Sequence, residues 1–142
     1  MDDKMAMIYE INELDLFFFK VMANRYKKLD ITPVQSRIIM VIASKKDGMY
    51  QKEIEDFIPC NKSTLSAILN TMEKNELIKR IDSEIDSRRK VIILTDKALE
   101  IVRYLKEDKK VLDHILLDNI TDEEYRLFSD ILHKLRKNME RI

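Results

Sequence analysis

Glycine occurs once in this chain of 142 residues, proline twice, cysteine once and tryptophan not at all. Each scarcity excludes something. Without clustered glycines there is no phosphate-cradling loop, and without proline tracts there is no stiff linker or low-complexity segment. The single thiol, Cys60, closes no internal disulfide. The N-terminus also lacks the basic, apolar and small-residue order of a secretory signal, so a reducing, cytoplasmic setting is expected. The most apolar run, Leu14 to Met22, is interrupted by Asp15 and Lys20. It falls far short of the roughly 20 residues that cross a bilayer, so no membrane partner is expected. No nucleophile and base are paired, and His114 and His133 stand far apart without cysteine spacing. They read as bystanders rather than as metal ligands with Asp118, so neither an enzyme nor a metal or other cofactor is expected.

Charge of one sign is missing as well. Lys and Arg total 26 and Asp and Glu total 26, a balance that by itself weighs against nucleic acid, because phosphate binding needs a basic footprint. The distribution is less even than the sum. Residues 62–103 hold nine basic side chains against seven acidic ones, an excess of two, and each flank carries one net negative charge. Three of the nine are consecutive at Arg88, Arg89 and Lys90.

What is present is mostly helix, in a length that suits one domain. From Met5 to Leu29, Ile8, Ile11, Leu14, Phe18, Val21 and Met22 recur at helical spacing, with Leu16, Phe17 and Phe19 off that face. A helix apolar nearly all round needs cover on more than one side, from a partner subunit or a ligand. Thr32, Pro33 and Gln35 read as N-cap, first helical position and capping box of a second helix ending near Ser44. Asp47-Gly48 is the strongest turn signal. After it residues 51–58 form a short third helix, with Ile54, Phe57 and Ile58 expected inward and Pro59 closing it.

Asn61 caps a fourth helix, Lys62 to about Asn75, in which Leu65, Ile68, Leu69 and Met72 make one apolar stripe. The opposite face carries Ser63, Ser66, Ala67, Asn70, Thr71 and Lys74, short side chains without the Glu–Lys ladder of an ordinary solvated helix. Two β-type runs follow, 78–82 and 89–94, joined by a polar tip. Thr95 caps a fifth helix, and Thr121 with Glu124 boxes a sixth, on which Phe128, Ile131, Leu135, Met139 and Ile142 approach heptad spacing.

Two short helices with a tight turn, then a charged hairpin, make a helix-turn-helix with a wing. The fold class expected is therefore mainly α with a small β-hairpin wing, flanked by N- and C-terminal helices. The major groove of B-DNA admits one helix, whose Ser63, Thr64, Ser66, Asn70 and Thr71 meet base edges while the Ala67 methyl meets a thymine methyl. Lys62 and the helix N–H groups would hold phosphates. Arg88 at the tip suits a minor groove, with Arg89 and Lys90 on the backbone. Taken alone, each feature also has a plainer account, a solvated helix face and a solvated charge run. Their succession is what favours DNA.

The run Asn61 to Asn70, then Met72 to Lys74, Leu77 to Arg80, and Asp86 to Lys90 closing on Leu94-Thr95 resembles the MarR family of bacterial transcription factors. Asp86 and Arg88, an Asp-x-Arg in the wing, are the most specific part. The resemblance implies a single MarR-type domain over 1–142, with a DNA-binding lobe at about 31–95 and dimerisation helices at 5–29 and 96–142. It further implies a homodimer, acting as a regulator, as a repressor by expectation, on double-stranded DNA at a pseudo-palindromic operator. Arg88 would enter the minor groove and Asp86 would serve the structure of the wing. Members often bind small phenolic or other hydrophobic effectors between the dimer helices and the DNA-binding lobe. Phe17 and Phe18 are candidates for such a pocket, core or dimer interface being the other account. The chain departs from the family's usual glycines at Glu76 and Ala98 and from a threonine at Tyr50. Asn75 is then expected to take the left-handed conformation that ends the fourth helix. Cys60 reads as a packing residue rather than a redox switch. The competing function is a winged-helix module that docks a protein, with the basic tip incidental.

Overall fold

The structure is a computed structural model that describes the backbone from Asp3 to Ile142 and side chains from Ala6 onward. Met5, where the first helix was expected to begin, has only its backbone described. Six α-helices and three strands follow in the order α1 (Asp3–Tyr26), α2 (Pro33–Ala43), β1 (Met49–Tyr50), α3 (Gln51–Glu55), α4 (Lys62–Lys74), β2 (Ile78–Asp82), β3 (Lys90–Leu94), α5 (Asp96–Leu116) and α6 (Asp122–Met139). A single 3-10 turn, Lys27–Leu29, follows α1. The chain divides into two compact units, Met1–Leu105 and Lys106–Ile142. Among the described residues no helix is long and apolar enough to cross a membrane.

The first unit is built around α2, α4 and a three-stranded antiparallel sheet in the order β1-β3-β2. Thr32 caps α2 as its sequence demands: the Gln35 N–H donates to Thr32 Oγ1 at 3.1 Å and the Thr32 N–H to Gln35 Oε1 at 3.0 Å. Ile38, Ile39 and Ile42 of α2, Leu65, Leu69 and Met72 of α4, and Met49, Ile54, Leu77, Ile78 and Ile92 are all buried and make up the core. Each such side chain contributes on the order of 2 kcal/mol by leaving water. Ala98, Ile101, Val102 and Leu105 of α5 complete this core.

Strand β1 is two residues long and was not anticipated, because a pair of residues carries no alternation to read. Its position is fixed from outside the segment: Met49 pairs with Ile92 and Tyr50 with Val91. The turn before it needs Gly48, which has φ 83°; a Cβ there would stand 2.5 Å from the Ile92 carbonyl oxygen and 2.8 Å from Ile93 Cγ2 and Val91 Cγ1. The wing is the hairpin of β2 and β3, with Ile78 opposite Leu94 and Asp82 opposite Lys90.

Three local expectations are corrected. Helix α3 ends at Glu55, before Pro59, and the chain leaves it through a turn in which the Phe57 N–H bonds the Ile54 carbonyl at 3.0 Å. Ile54 and Ile58 are buried as expected, but Phe57 is thrown outward by that turn and is 50% exposed. Asn75 has ordinary negative φ, and Glu76 takes the left-handed conformation at φ 60°. The Leu77 N–H bonds the Met72 carbonyl at 2.9 Å and the Glu76 N–H bonds that of Glu73 at 3.0 Å, a Schellman ending. Met72 and Leu77, both buried, supply its apolar contact. Ala98 lies within α5 outside the positive-φ residues, so the absence of glycine there strains nothing.

The second unit holds the end of α5 and α6. Thr121 and Glu124 form their capping box, with the Glu124 N–H on Thr121 Oγ1 at 3.2 Å and the Thr121 N–H on Glu124 Oε2 at 2.9 Å. No side chain of α6 is buried, and Tyr125, Phe128, Ile131, Leu132 and Met139 are all exposed apolar groups.

Candidate nucleic-acid interface

Helix α4 starts where Asn61 Oδ1 accepts the Thr64 N–H at 2.8 Å, and the same oxygen accepts the Ser63 hydroxyl at 2.8 Å. The cap therefore holds the first turn and orients Ser63. Burying Leu65, Leu69 and Met72 turns Lys62, Ser63, Thr64, Ala67, Asn70, Thr71 and Lys74 outward as one exposed, short-chained face. Ile68, expected in the apolar stripe, lies at its half-buried edge. The Thr71 hydroxyl bonds back to the Ala67 carbonyl at 3.1 Å, so in this state its hydrogen is used within the helix.

Ser66 differs from its neighbours. It is half-buried, and its Oγ accepts from Gln51 Nε2 at 2.7 Å, a bond that ties α4 to the first residue of α3. Nothing in the spacing from 51 to 66 marks this contact.

At the wing tip the Asp86 carboxylate accepts the Arg88 N–H at 3.0 Å and stands 3.5 Å from Arg88 Nε. The Arg89 N–H bonds the Asp86 carbonyl at 3.0 Å and closes the turn. Arg88, whose side chain is 92% exposed, is presented beyond this turn. Its two basic neighbours are engaged within the lobe. The Arg89 guanidinium carbon lies 3.6 Å from the centroid of the Tyr50 ring, and Lys90 Nζ is paired with Asp82 across the hairpin. An open basin of about 400 Å³ beside them is lined by Tyr50, Gln51, Lys52, Arg80, Arg89, Lys90 and Ile92. Arg80 in turn faces Glu73 at 3.4 Å.

The remaining candidate residues lie elsewhere. Phe17 and Phe18 are on α1, 66% and 44% exposed. Cys60 is half-buried in the turn before α4, its N–H on the Ile58 carbonyl at 2.8 Å. Among the described residues no three His, Cys, Asp or Glu side chains gather as a metal site would require.

Helix, turn, exposed polar helix and hairpin define a winged helix-turn-helix protein. Residues 29–89, which run from before α2 to the wing tip, match the family model described as MarR family. Over 118 residues the chain is 28% identical to the HTH-type transcriptional regulator MgrA of Staphylococcus aureus, covering 82% of this chain and 80% of that one. It is 25% identical to the uncharacterized HTH-type transcriptional regulator YybA of Bacillus subtilis over 82% of this chain and 77% of that protein. Among solved structures, the MepR–DNA complex of S. aureus superposes with a TM-score of 0.84, at 22% identity, over 92% of this chain and 96% of that one. Transcriptional regulators are thus what this chain is similar to in sequence, and their fold is its fold.

Proposed function

We propose that this protein is a sequence-specific DNA-binding transcriptional regulator that acts as a homodimer on a pseudo-palindromic operator in the cytoplasm. The observation that carries the reading is the joint presentation of the outward face of α4 and the Asp86-braced Arg88. Ser63, Thr64, Ala67, Asn70 and Thr71 have the length and chemistry to meet base edges in a major groove, and Lys62, exposed in the first turn of α4, has the charge to hold a phosphate. Ser66 contributes at one remove, through its bond to Gln51. Arg88 suits a narrow, A·T-rich minor groove, with Arg89 and Lys90 beside the backbone.

The dimer is supported by exposed apolar surface. Helix α1 exposes Ile8, Ile11, Leu14, Phe17 and Phe18, and the second unit exposes Val111, Ile115, Leu116, Phe128 and Ile131. Soluble monomers seldom carry so much unpaired apolar side chain, and a second copy offers the same faces in return. Residues 5–29 and 96–142 are accordingly the dimerisation helices, and about 31–95 the DNA-binding lobe. Repression follows from a dimer that fills successive grooves of a promoter. Phe17 and Phe18 are the side chains a small hydrophobic or phenolic effector would meet, and such a ligand would release DNA to the extent that it prefers the non-binding state.

The test is retention of the purified protein on random duplex pools at several salt concentrations, followed by sequencing. An enriched inverted repeat with half-sites about one helical turn, roughly 34 Å, apart is the expected result. Weak retention without enrichment would favour a protein-docking module, the reading that the zero net charge supports.

A further inference from the structure

Tyr50 and Gln51 are consecutive, yet they reach the two different parts of the candidate interface. Tyr50 ends β1 and faces the wing: its hydroxyl is hydrogen-bonded to Ser83 Oγ at 2.7 Å, and its ring carries the Arg89 guanidinium at 3.6 Å. Ser83 is 8% exposed, and its Oγ also receives the Ile85 N–H at 3.2 Å and the Asp86 N–H at 3.3 Å, so the hydroxyl organises the turn that presents Arg88. Gln51 opens α3 and faces the other way, with Nε2 on Ser66 Oγ of α4 at 2.7 Å. The junction itself is fastened, because the Tyr50 N–H donates to Glu53 Oε2 at 2.9 Å and the Tyr50 backbone pairs with Val91 in the sheet.

We propose that the Tyr50-Gln51 junction is a positioning device that fixes the wing tip relative to α4, so that Tyr50, which touches no base, sets how strictly the protein reads the minor-groove segment of its site. The inference rests on the DNA-binding reading above. A hairpin joined to the lobe only by its own two strands rocks on them. Two further attachments at the tip end of its strands, one a hydrogen bond and one a cation stacked on a ring, remove that freedom before DNA arrives. The ordering cost of placing Arg88 is then met in folding, and the residue gains contrast between narrow and wide grooves.

Duplex selection with wild type, Tyr50→Phe, Tyr50→Thr and Ser83→Ala tests this. Tyr50→Phe keeps the ring under Arg89 and loses the hydroxyl, and about a fivefold loss of affinity for the wild-type site is expected, the worth of one hydrogen bond. Tyr50→Thr loses both attachments and should cost about twentyfold. The enriched sequences should flatten at the minor-groove positions and stay sharp at those facing α4, a pattern that general destabilisation does not produce. Tyr50→Phe combined with Ser83→Ala should be no worse than Ser83→Ala alone, since that variant already lacks the Tyr50–Ser83 bond together with the two turn bonds to Ser83. Hydrogen exchange at the Ile85 and Asp86 amides should quicken in Tyr50→Phe while α4 keeps its protection. A variant that reads both parts of the site as the wild type does overturns the proposal alone. A wild type that enriches no sequence overturns the DNA-binding reading and this proposal with it.

Discussion

Glu76 ends α4 at φ 60°, a conformation that costs a side-chain-bearing residue about 1 kcal/mol or more. Its carboxylate also sits at the negative end of the helix, where an anion is unfavourable. The groups that fasten this corner, the Thr95 hydroxyl on the Glu76 carbonyl at 2.6 Å and Lys97 Nζ on the Asn75 carbonyl at 3.0 Å, bond only backbone and are indifferent to the side chain. Glu76→Gly is therefore expected to stabilise the protein by about 1 kcal/mol, read as a shifted urea midpoint with unchanged slope. Arg88 and Asn70 separate two kinds of contact. Arg88→Ala should weaken binding on every sequence and lower the salt slope by about one unit, whereas Asn70→Ala should relax preference at a single operator position. Equal loss on all sequences from Asn70→Ala would count against base readout there.

The elements were legible in proportion to how local their causes are. Caps at Thr32, Asn61 and Thr121 lie within three residues of what they bond, and all three stand where their sequences indicate. Asn61→Ala is expected to cost about 1 kcal/mol and to fray the first turn of α4, seen as loss of amide protection at Thr64. The wing strands were legible from their β-branched runs, within a residue at the start of β3. What the sequence hid was set from a distance. Strand β1 exists because Ile92 and Val91 lie opposite it, Ser66 turns inward to Gln51, and Arg89 and Lys90 are taken up by Tyr50 and Asp82. The tip position of Arg88 was legible in the sequence, but the intramolecular partners that take up Arg89 and Lys90 were not. Glu76 was missed for another reason: propensity favours asparagine for a left-handed residue, but the Schellman pairing fixes which position must adopt it.

For the whole molecule the question is what covers its apolar helices. No side chain of α6 is buried and only Leu135 is half-buried, and a strongly two-sided helix of this length is marginal by itself in water. A single charge set in that face, Ile131→Asp, is expected to raise the dimer dissociation constant by at least about a hundredfold, since burying an unpaired carboxylate costs several kcal/mol. Sedimentation measures it directly. The same variant should lose cooperative binding to an inverted repeat while keeping weak binding to a half-site, because the lobe that carries α4 and the wing is untouched. A monomeric wild type would remove the reason for a palindromic operator altogether.

Gly48 gives the scarcity of glycine a meaning in terms of descent. At the left-handed end of α4 the exchange of glycine for a larger residue costs only about 1 kcal/mol, and Glu76 stands there. At position 48 the smallest possible side chain already collides with the backbone of Ile92, so no such exchange is open. A comprehensive scan of substitutions should find this the least forgiving surface turn in the protein, with alanine rejected nearly as firmly as tryptophan.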